Sequence, residues 1–390
     1  MRIAIYGGSF NPPHIGHAEA ARAAAETLQP DRFLVIPTNT PPHKELEENS
    51  PSPEQRLEFC RLAFGDIPGV EVSDMELRRE GKSYTSDTVD ALREQYPDAE
   101  ICIVMGTDMF LSFRSWYRWQ HILENATLAV LSREDFDRRE IEDFKAELEA
   151  ENGARVVVIP HTPLPMSSTE IRERLRRGLG ADDLCQGVYE SILRNGFYDV
   201  KPELPWLRQM VMPYLKADRI AHVTGVESQA VMLAMHWGED PDAAAVAGIL
   251  HDITKAMGKE KQLKLCQKYG IILEKAERDN PSLLHARTGA ALARDRFGIS
   301  DEIYGAIRWH TTGKPDMTLL EKIIYLADYT EPTRDFDGVE ALRELSFEDL
   351  DKAMALGLEM SIEDLHNRGK EVFHDTMDAY NWYKNVTEST

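Results

Sequence analysis

Short apolar runs recur through the first half of the chain, at residues 3–6, 32–37, 101–105, 127–131 and 156–159. Each is rich in β-branched residues and is bounded by glycine, proline or polar residues, the pattern of strands buried on both faces. Val70-Glu71-Val72 adds a short edge strand. Between these runs the spacing turns helical, in the alanine-rich stretch 18–28 and in 53–64, where Leu57, Cys60, Leu62 and Phe64 form the expected core face. The acidic stretch 134–151 reads as a solvated helix. Strands alternating with helices predict a parallel α/β sheet with right-handed crossovers, whose ligands sit at the carboxyl ends of the strands. Residues 199–205 carry two prolines and no periodicity, which predicts a short, stiff linker. From 206 onward the strand signals stop and helical patterns dominate. The expected organisation is an α/β domain over 1–198 and an all-α domain over 206–390.

Composition narrows the partners. A chain of 390 residues exceeds one ordinary core, and 42% hydrophobic with 29% charged residues fits a globular protein. The net charge of −22 argues against a general nucleic-acid or anionic-membrane surface. A polyanionic ligand must then be held by local cations, helix ends or metal. Cys60, Cys102, Cys185 and Cys266 are scattered and read as reduced core thiols of a cytoplasmic protein. The first strand begins at Arg2 and leaves no room for a signal peptide, and no apolar run reaches membrane-spanning length.

The first candidate site follows the first strand. Gly7-Gly8-Ser9-Phe10-Asn11-Pro12-Pro13-His14-Ile15-Gly16-His17 reads as a glycine turn entering a helix. Glycines admit a ligand close to the backbone, and the helix start offers unpaired N–H groups to an anion. His14 and His17 share one helix face near that positive end. Taken alone, this is also what a tight turn with two surface histidines looks like. The full run resembles the G-G-x-F-x-P-x-H-x-G-H signature of the nucleotidylyltransferase superfamily, which implies a Rossmann-like parallel sheet and transfer of a nucleotidyl group with release of pyrophosphate.

Further segments extend the resemblance across residues 1–198. Thr40-Pro41-Pro42-His43-Lys44 is an exposed loop by itself; the matching family segment reaches the triphosphate and the acceptor, through His43 and Lys44. Ser83-Tyr84-Thr85-Ser86-Asp87-Thr88 leads into a helix, with Thr85 a candidate N-cap. In members specific for nicotinate mononucleotide the same motif lines the acceptor pocket, with the threonine near the pyridine ring. Gly106-Thr107-Asp108-Met109-Phe110, followed by Trp116-Tyr117-Arg118-Trp119, resembles nicotinate-nucleotide adenylyltransferases more than the phosphopantetheine branch. Trp119 reads as core, Trp116 and Tyr117 as rings on which a nicotinate can stack, and Asp108 as a partner for ribose hydroxyls. By the resemblance Arg133 pairs with the acceptor phosphate. Met166-Ser167-Ser168-Thr169-Glu170-Ile171-Arg172 is a capped helix start, and it resembles the second superfamily signature, in which Ser168, Thr169 and Arg172 receive the ATP phosphates. The implied ATP site is Gly7, Gly8, Ser9, Phe10, His14, His17, Gly106, Asp108, Ser168, Thr169 and Arg172, with Mg2+ accompanying the nucleotide. His14, His17, Lys44 and Arg172 share the charge of the transition state.

The second half spreads its chemistry along the chain. His222, His251-Asp252, His285, His310 and Asp328 each lie in or beside an apolar helical segment. Buried polar groups need partners, and imidazole with carboxylate suits iron, manganese or zinc rather than calcium. Singly, each histidine is as well explained as a satisfied structural residue. The order H…HD…H…H…D resembles the HD-domain metallophosphohydrolases, and the surrounding motifs resemble the YqeK branch, which cleaves diadenosine tetraphosphate symmetrically to two ADP. The resemblance implies two transition-metal ions, iron first with manganese or zinc as alternatives, Asp252 as a catalytic and bridging residue, and Lys255, Arg287 and Arg334 as polyphosphate ligands. Lys255 and Arg334 read equally well as surface charges.

The expected protein is thus a bifunctional cytoplasmic enzyme acting on ATP, nicotinate mononucleotide and diadenosine tetraphosphate, with no nucleic-acid or membrane partner. Several readings stay open: a nucleotide-sensing second half or one acting on another nucleotide, nicotinamide mononucleotide or phosphopantetheine as the acceptor, and assembly into a homo-oligomer.

Overall fold

The computed structural model describes the chain except residues 42–46, 48, 133–137, 163, 275–276, 279–282 and 389–390, and the side chain of residue 138. Two compact units result, Met1–Lys201 and Pro202–Thr390. The division falls inside the expected linker, but the last two linker residues belong to a helix, Leu204–Val211. Pro205 sits in its first turn, where a missing N–H costs nothing.

The first unit holds six strands: β1 (Arg2–Gly8), β2 (Arg32–Pro37), β3 (Val70–Val72), β4 (Glu100–Gly106), β5 (Thr127–Ser132) and β6 (Val156–Pro160). They form one sheet in the order β3-β2-β1-β4-β5-β6, with every pairing parallel. Alternate strand residues feed two cores. Ile3, Ile5, Ile101 and Ile103 face one, while Ala4, Phe33, Cys102 and Val104 face the other. Burial on both faces is why the strands read as unbroken apolar runs. The chain builds outward from β1 to β3 and then returns to place β4 on the other side of β1. The crevice of such a sheet opens at this reversal, outside the carboxyl ends of β1 and β4. Gly8 and Gly106 end those two strands.

The helix Pro53–Phe64 buries Leu57, Phe59, Cys60 and Phe64, but Leu62, expected in the core, is 39% exposed. It lies against the surface helix Gln186–Asn195, where a Cβ on Gly187 would come to 3.1 Å of its Cδ2. The acidic stretch forms the helix Arg138–Asn152, which still buries Ile141 and Leu148.

Among the described residues of the second unit every regular element is a helix and none is a strand. Its core is built from Val226, Ala230, Ala247, Leu250, Ile307, Ile324 and their neighbours. The helices Ala217–Trp237, Pro241–Leu250, Leu284–Phe297, Asp301–Trp309 and Leu319–Thr330 surround the candidate metal ligands. Among the described residues no helix is long and apolar enough to cross a membrane.

Candidate functional site

The glycine turn leads from β1 into the helix Ile15–Leu28. His14 is the residue before that helix, in extended conformation, and its backbone N–H donates to His17 Nδ1 at 3.2 Å. The neutral His17 ring therefore carries its proton on Nε2. The two imidazole centroids are 3.7 Å apart. A Cβ on Gly16 would come to 3.1 Å of His14 Nδ1, so the glycine between the histidines makes room for the first ring. Burial lowers the His14 pKa to about 4, and burial followed by the nearby His14 holds His17 well below its ordinary value. Both rings are neutral at neutral pH. Phe10 is 2% exposed and packs edge-on against Tyr6, His17 and Phe64, so it offers a ligand backbone only.

The second signature reaches the same turn from far along the chain. Ser167 caps the helix Ser168–Arg176 by accepting from Glu170 N–H at 3.2 Å. Ser168 Oγ donates to Pro12 O at 2.9 Å, and Arg172 Nη1 donates to Asn11 O at 3.0 Å. Tyr198 Oη donates to Asn11 Oδ1 at 2.7 Å. Arg172 is buried, and its Nε and Nη2 are engaged by Glu47 Oε1 at 3.1 and 2.7 Å. Thr169 is exposed.

Two cavities flank the turn. One of about 260 Å³ is lined by Gly7, Gly8 and Ser9 together with Thr85, Trp116 and Tyr117. Thr85 is the first residue of the helix Thr85–Gln95 rather than its cap, a place taken by Tyr84, whose ring meets Tyr117 at 4.6 Å. Trp119 is partly buried against the core. The other cavity, about 570 Å³, is lined by Gly16, Gly106, Asp108, His161 and Met166 among others. His43, Lys44 and Arg133 lie outside the described residues.

In the second unit the six expected metal ligands converge, all buried. His222 Nε2 lies 3.2 Å from Asp328 Oδ1 and 3.3 Å from His251 Nε2. His285 Nε2 lies 3.1 Å from His310 Nε2. Asp252 stands between the two pairs. Its Oδ2 is 3.7 and 3.4 Å from His222 and His251, and its Oδ1 is 3.3 and 3.6 Å from His285 and His310. His251 and His310 each donate Nδ1–H to a backbone carbonyl, Gly248 O and Ile307 O, at 2.7 Å. Since a carbonyl only accepts, each ring in its neutral form turns an Nε2 lone pair toward the cluster. Burial lowers the His285 pKa to about 4, which keeps that imidazole neutral. Burial raises the cost of charge on Asp252 and on His251, yet each favours the other's charge, which holds the Asp252 carboxyl well below the usual range and lifts the His251 imidazole above its own.

This donor set fits a divalent cation. Bare imidazole nitrogens face one another, and Asp252 Oδ1 is buried without a well-formed hydrogen bond. Two overlapping triads, His222 with His251 and Asp328, and His251 with Asp252 and His310, bring their donor atoms within 4.8 Å of one another. The HD fold and this cluster together mark a divalent-metal site.

The expected polyphosphate ligands separate. Lys255 Nζ lies 3.3 Å from Asp252 Oδ1, and Arg334 Nη2 lies 2.6 Å from Asp328 Oδ1. Both line a cavity of about 660 Å³ that reaches His310 and Asp328. Arg287 is instead paired with buried Glu277, at 2.7 Å to each carboxylate oxygen, and is not among that cavity's lining residues.

Other residues at the sites did not stand out in the sequence. Fully buried Arg56 donates to Ser9 O at 2.7 Å and Asn39 O at 2.9 Å, fastening the glycine turn to the loop after β2. Glu76 is buried against the smaller cavity and accepts from Thr88 Oγ1 at 2.8 Å. Arg219 binds Asp252 directly, and Glu331 Oε1 lies 3.0 Å from His222 Nδ1. Helical spacing carried a signal for the last two: Arg219 precedes His222 by one turn, and Glu331 follows Asp328 by one turn.

Residues 5–174 match the Cytidylyltransferase-like family, and residues 219–333 match the HD domain family. The chain is 34% identical over 211 residues to a probable nicotinate-nucleotide adenylyltransferase of Chromohalobacter salexigens, spanning 50% of this chain and 95% of that protein. It is 39% identical over 173 residues to the symmetrical bis(5'-nucleosyl)-tetraphosphatase of Bacillus subtilis, spanning 44% of this chain and 92% of that protein. A solved HD superfamily hydrolase from Clostridium acetobutylicum is 38% identical, covers 47% of this chain and 97% of its own, and superposes with a TM-score of 0.46. Each half thus follows a separate enzyme family along nearly its whole length: the chain joins a nucleotidyltransferase of the nicotinate-nucleotide adenylyltransferase family to an HD-domain hydrolase of the symmetrical bis(5'-nucleosyl)-tetraphosphatase family.

Proposed function

We propose that the first half transfers the adenylyl group of ATP to nicotinate mononucleotide, giving nicotinate adenine dinucleotide and pyrophosphate, and that the second half hydrolyses diadenosine tetraphosphate to two ADP. The observation that carries the reading is the shared lining of one cavity by Gly7, Gly8 and Ser9 and by Thr85, Trp116 and Tyr117. A flat aromatic acceptor in that cavity sits beside the turn that would hold the triphosphate.

In the transfer, an oxygen of the acceptor phosphate attacks the α-phosphorus of ATP, and the bond from that phosphorus to the bridging oxygen of pyrophosphate breaks. A phosphate monoester is already nucleophilic, so catalysis rests on positioning and charge stabilisation. Neutral His17 offers its Nε2–H to a phosphate oxygen. Arg172 presents a guanidinium fork now capped by Glu47, and a phosphate competes for that fork with the same geometry. Gly106 and Asp108, on the second cavity, suit the ribose of ATP. His43, Lys44 and Arg133 are assigned to acceptor and phosphates by family resemblance alone, and Mg2+ would accompany the nucleotide.

In the hydrolysis, one water is consumed and the oxygen bridge between the two middle phosphoryl groups breaks. His222, His251, Asp252, His285, His310 and Asp328 would hold two metal ions, for which iron, manganese and zinc all suit the donors. A metal bound there supplies Lewis acidity at a phosphoryl group and acidifies water. Asp252, with one oxygen toward each histidine pair, is suited to bridging. Lys255, Arg334 and Arg219 border the same cluster and would anchor the polyphosphate.

The test compares kcat/KM for nicotinate mononucleotide, nicotinamide mononucleotide and phosphopantetheine, with diadenosine tetraphosphate hydrolysis followed in the same preparation. Preference for nicotinate mononucleotide and release of ADP alone are expected. Equal use of the nicotinamide acceptor, or release of ATP with AMP, would overturn the corresponding half.

A further inference from the structure

We infer that Glu331 is a positioning residue for metal binding, acting through His222. His251 and His310 are oriented by the backbone of their own helices, through Gly248 O and Ile307 O. His222 is oriented differently: its Nδ1 faces the Glu331 carboxylate at 3.0 Å. A carboxylate only accepts, so the proton is fixed on Nδ1 and the Nε2 lone pair faces into the cluster, where Asp328, His251 and Asp252 also present donor atoms. A negatively charged acceptor also raises the basicity of the imidazole it orients, more than a peptide carbonyl does.

The carboxylate is itself held in place from several sides. Glu331 is fully buried. Its Oε2 accepts from Thr333 N–H at 2.7 Å, and its Oε1 accepts from Thr333 Oγ1 at 2.5 Å. Arg334 Nε lies 3.7 Å from Oε1. The helix that carries His222 is cut away to admit it: a Cβ on Gly225, one turn beyond His222, would stand 2.4 Å from Glu331 Oε2. Gly225 and Glu331 are thus complementary parts of one arrangement, contributed by helix Ala217–Trp237 and the end of helix Leu319–Thr330. Two variants can therefore disturb the same contact from opposite sides.

This inference rests on the reading of His222 as a metal ligand, and the experiment separates the two. Manganese(II) alone is titrated into the full, metal-stripped chain, with circular dichroism and the thermal midpoint of the stripped protein as controls on folding. Glu331→Gln keeps the shape but removes the charge, and its amide can turn an N–H toward Nδ1 and force the wrong tautomer. The expected result is a 10–100-fold loss of manganese affinity with unchanged circular dichroism. Gly225→Ala, which leaves the carboxylate charge intact and displaces it, should weaken binding in the same direction and serves if the glutamine variant does not fold. His222→Ala is measured in parallel. If His222→Ala loses metal while Glu331→Gln and Gly225→Ala bind as the parent does, the positioning role is wrong and the ligand reading stands. If His222→Ala itself binds as the parent does, the ligand reading falls and takes the inference with it.

Discussion

His14 shows how a buried residue couples site and stability. Burial lowers its pKa to about 4 from an ordinary 6.5. As pH falls through about 6.5 the unfolded chain takes up this proton, whereas the folded chain does so only near 4. The stability of the neutral ring is therefore complete above 6.5 and is lost between 6.5 and 4, a total on the order of 3 kcal/mol. Against His14→Gln, the parent should lose about 2 kcal/mol of relative stability between pH 7 and pH 5, read from the melting transition that ATP shifts at pH 7. Parallel profiles for the two proteins would show that His14 is not held neutral by the fold. Arg56 gives a second residue-scale expectation. Its two hydrogen bonds end on backbone carbonyls of separate loops, so Arg56→Met strands two partly buried acceptors at a net cost of about 1–2 kcal/mol. Because one of them is Ser9 O, kcat/KM for ATP should fall at least about tenfold, or ~1.4 kcal/mol, with Arg56→Lys intermediate. A variant that is only less stable, with kcat/KM for ATP unchanged, would reduce Arg56 to a structural tie.

At the scale of elements, glycine spacing between helices decides how the histidines meet. A Cβ on Gly248 would come to 2.8 Å of Glu227 Cα and 3.1 Å of its backbone nitrogen, so Pro241–Leu250 and Ala217–Trp237 pack backbone to backbone. Gly248→Ala improves helix propensity by up to about 1 kcal/mol, but backbone cannot yield as a side chain can, and overpacking costs typically about 1–3 kcal/mol. Clash should win. Since His251 donates to Gly248 O, its ring moves with the helix, and manganese binding should weaken together with a fall of a few degrees in the midpoint of the second unit, on the scale of about 2–4 °C per kcal/mol. An unchanged manganese affinity would mean that the helix spacing does not set the cluster. This packing also marks the boundary of what the sequence could tell. The strands were legible because burial on both faces leaves unbroken apolar runs, and the turn before His14 was legible because glycine and histidine alternate at a fixed spacing. Leu62 was misread because helical periodicity names a face without naming what covers it. Thr85 missed the cap by one residue, since either Tyr84 or Thr85 can precede the same polar turn. Arg56 was invisible, and Arg219 and Glu331 were marked only by lying one turn from an expected ligand, because a charged residue within a helical pattern reads as solvated until a partner from a distant segment is known. Arg287 erred the other way: its charge matched the expected ligand, while its partner Glu277 lay ten residues upstream.

At the scale of the whole molecule, the two chemistries meet through their products. In the proposed transfer an acceptor phosphate oxygen attacks the α-phosphorus of ATP. If that acceptor is the γ-phosphate of a second ATP, the same bond changes release pyrophosphate and leave two adenosines joined by four phosphates. That product is the proposed substrate of the second half. The metal cluster and the glycine turn belong to different compact units and share no residue, so the two activities should be separable by one substitution. Asp252→Asn keeps the side-chain volume but removes the charge that both histidine pairs face. Its hydrolase activity should fall by orders of magnitude, while kcat/KM for nicotinate mononucleotide stays within about twofold of the parent, a difference below ~0.5 kcal/mol. Incubated with ATP and Mg2+ without nicotinate mononucleotide, the variant should accumulate diadenosine tetraphosphate, whereas the parent should convert the same by-product to ADP. Chromatography of the nucleotides over time reads both outcomes. Equal by-product levels in parent and variant would show that the hydrolase half does not remove what its neighbour makes, and loss of transfer in Asp252→Asn would show that the two units do not fold independently.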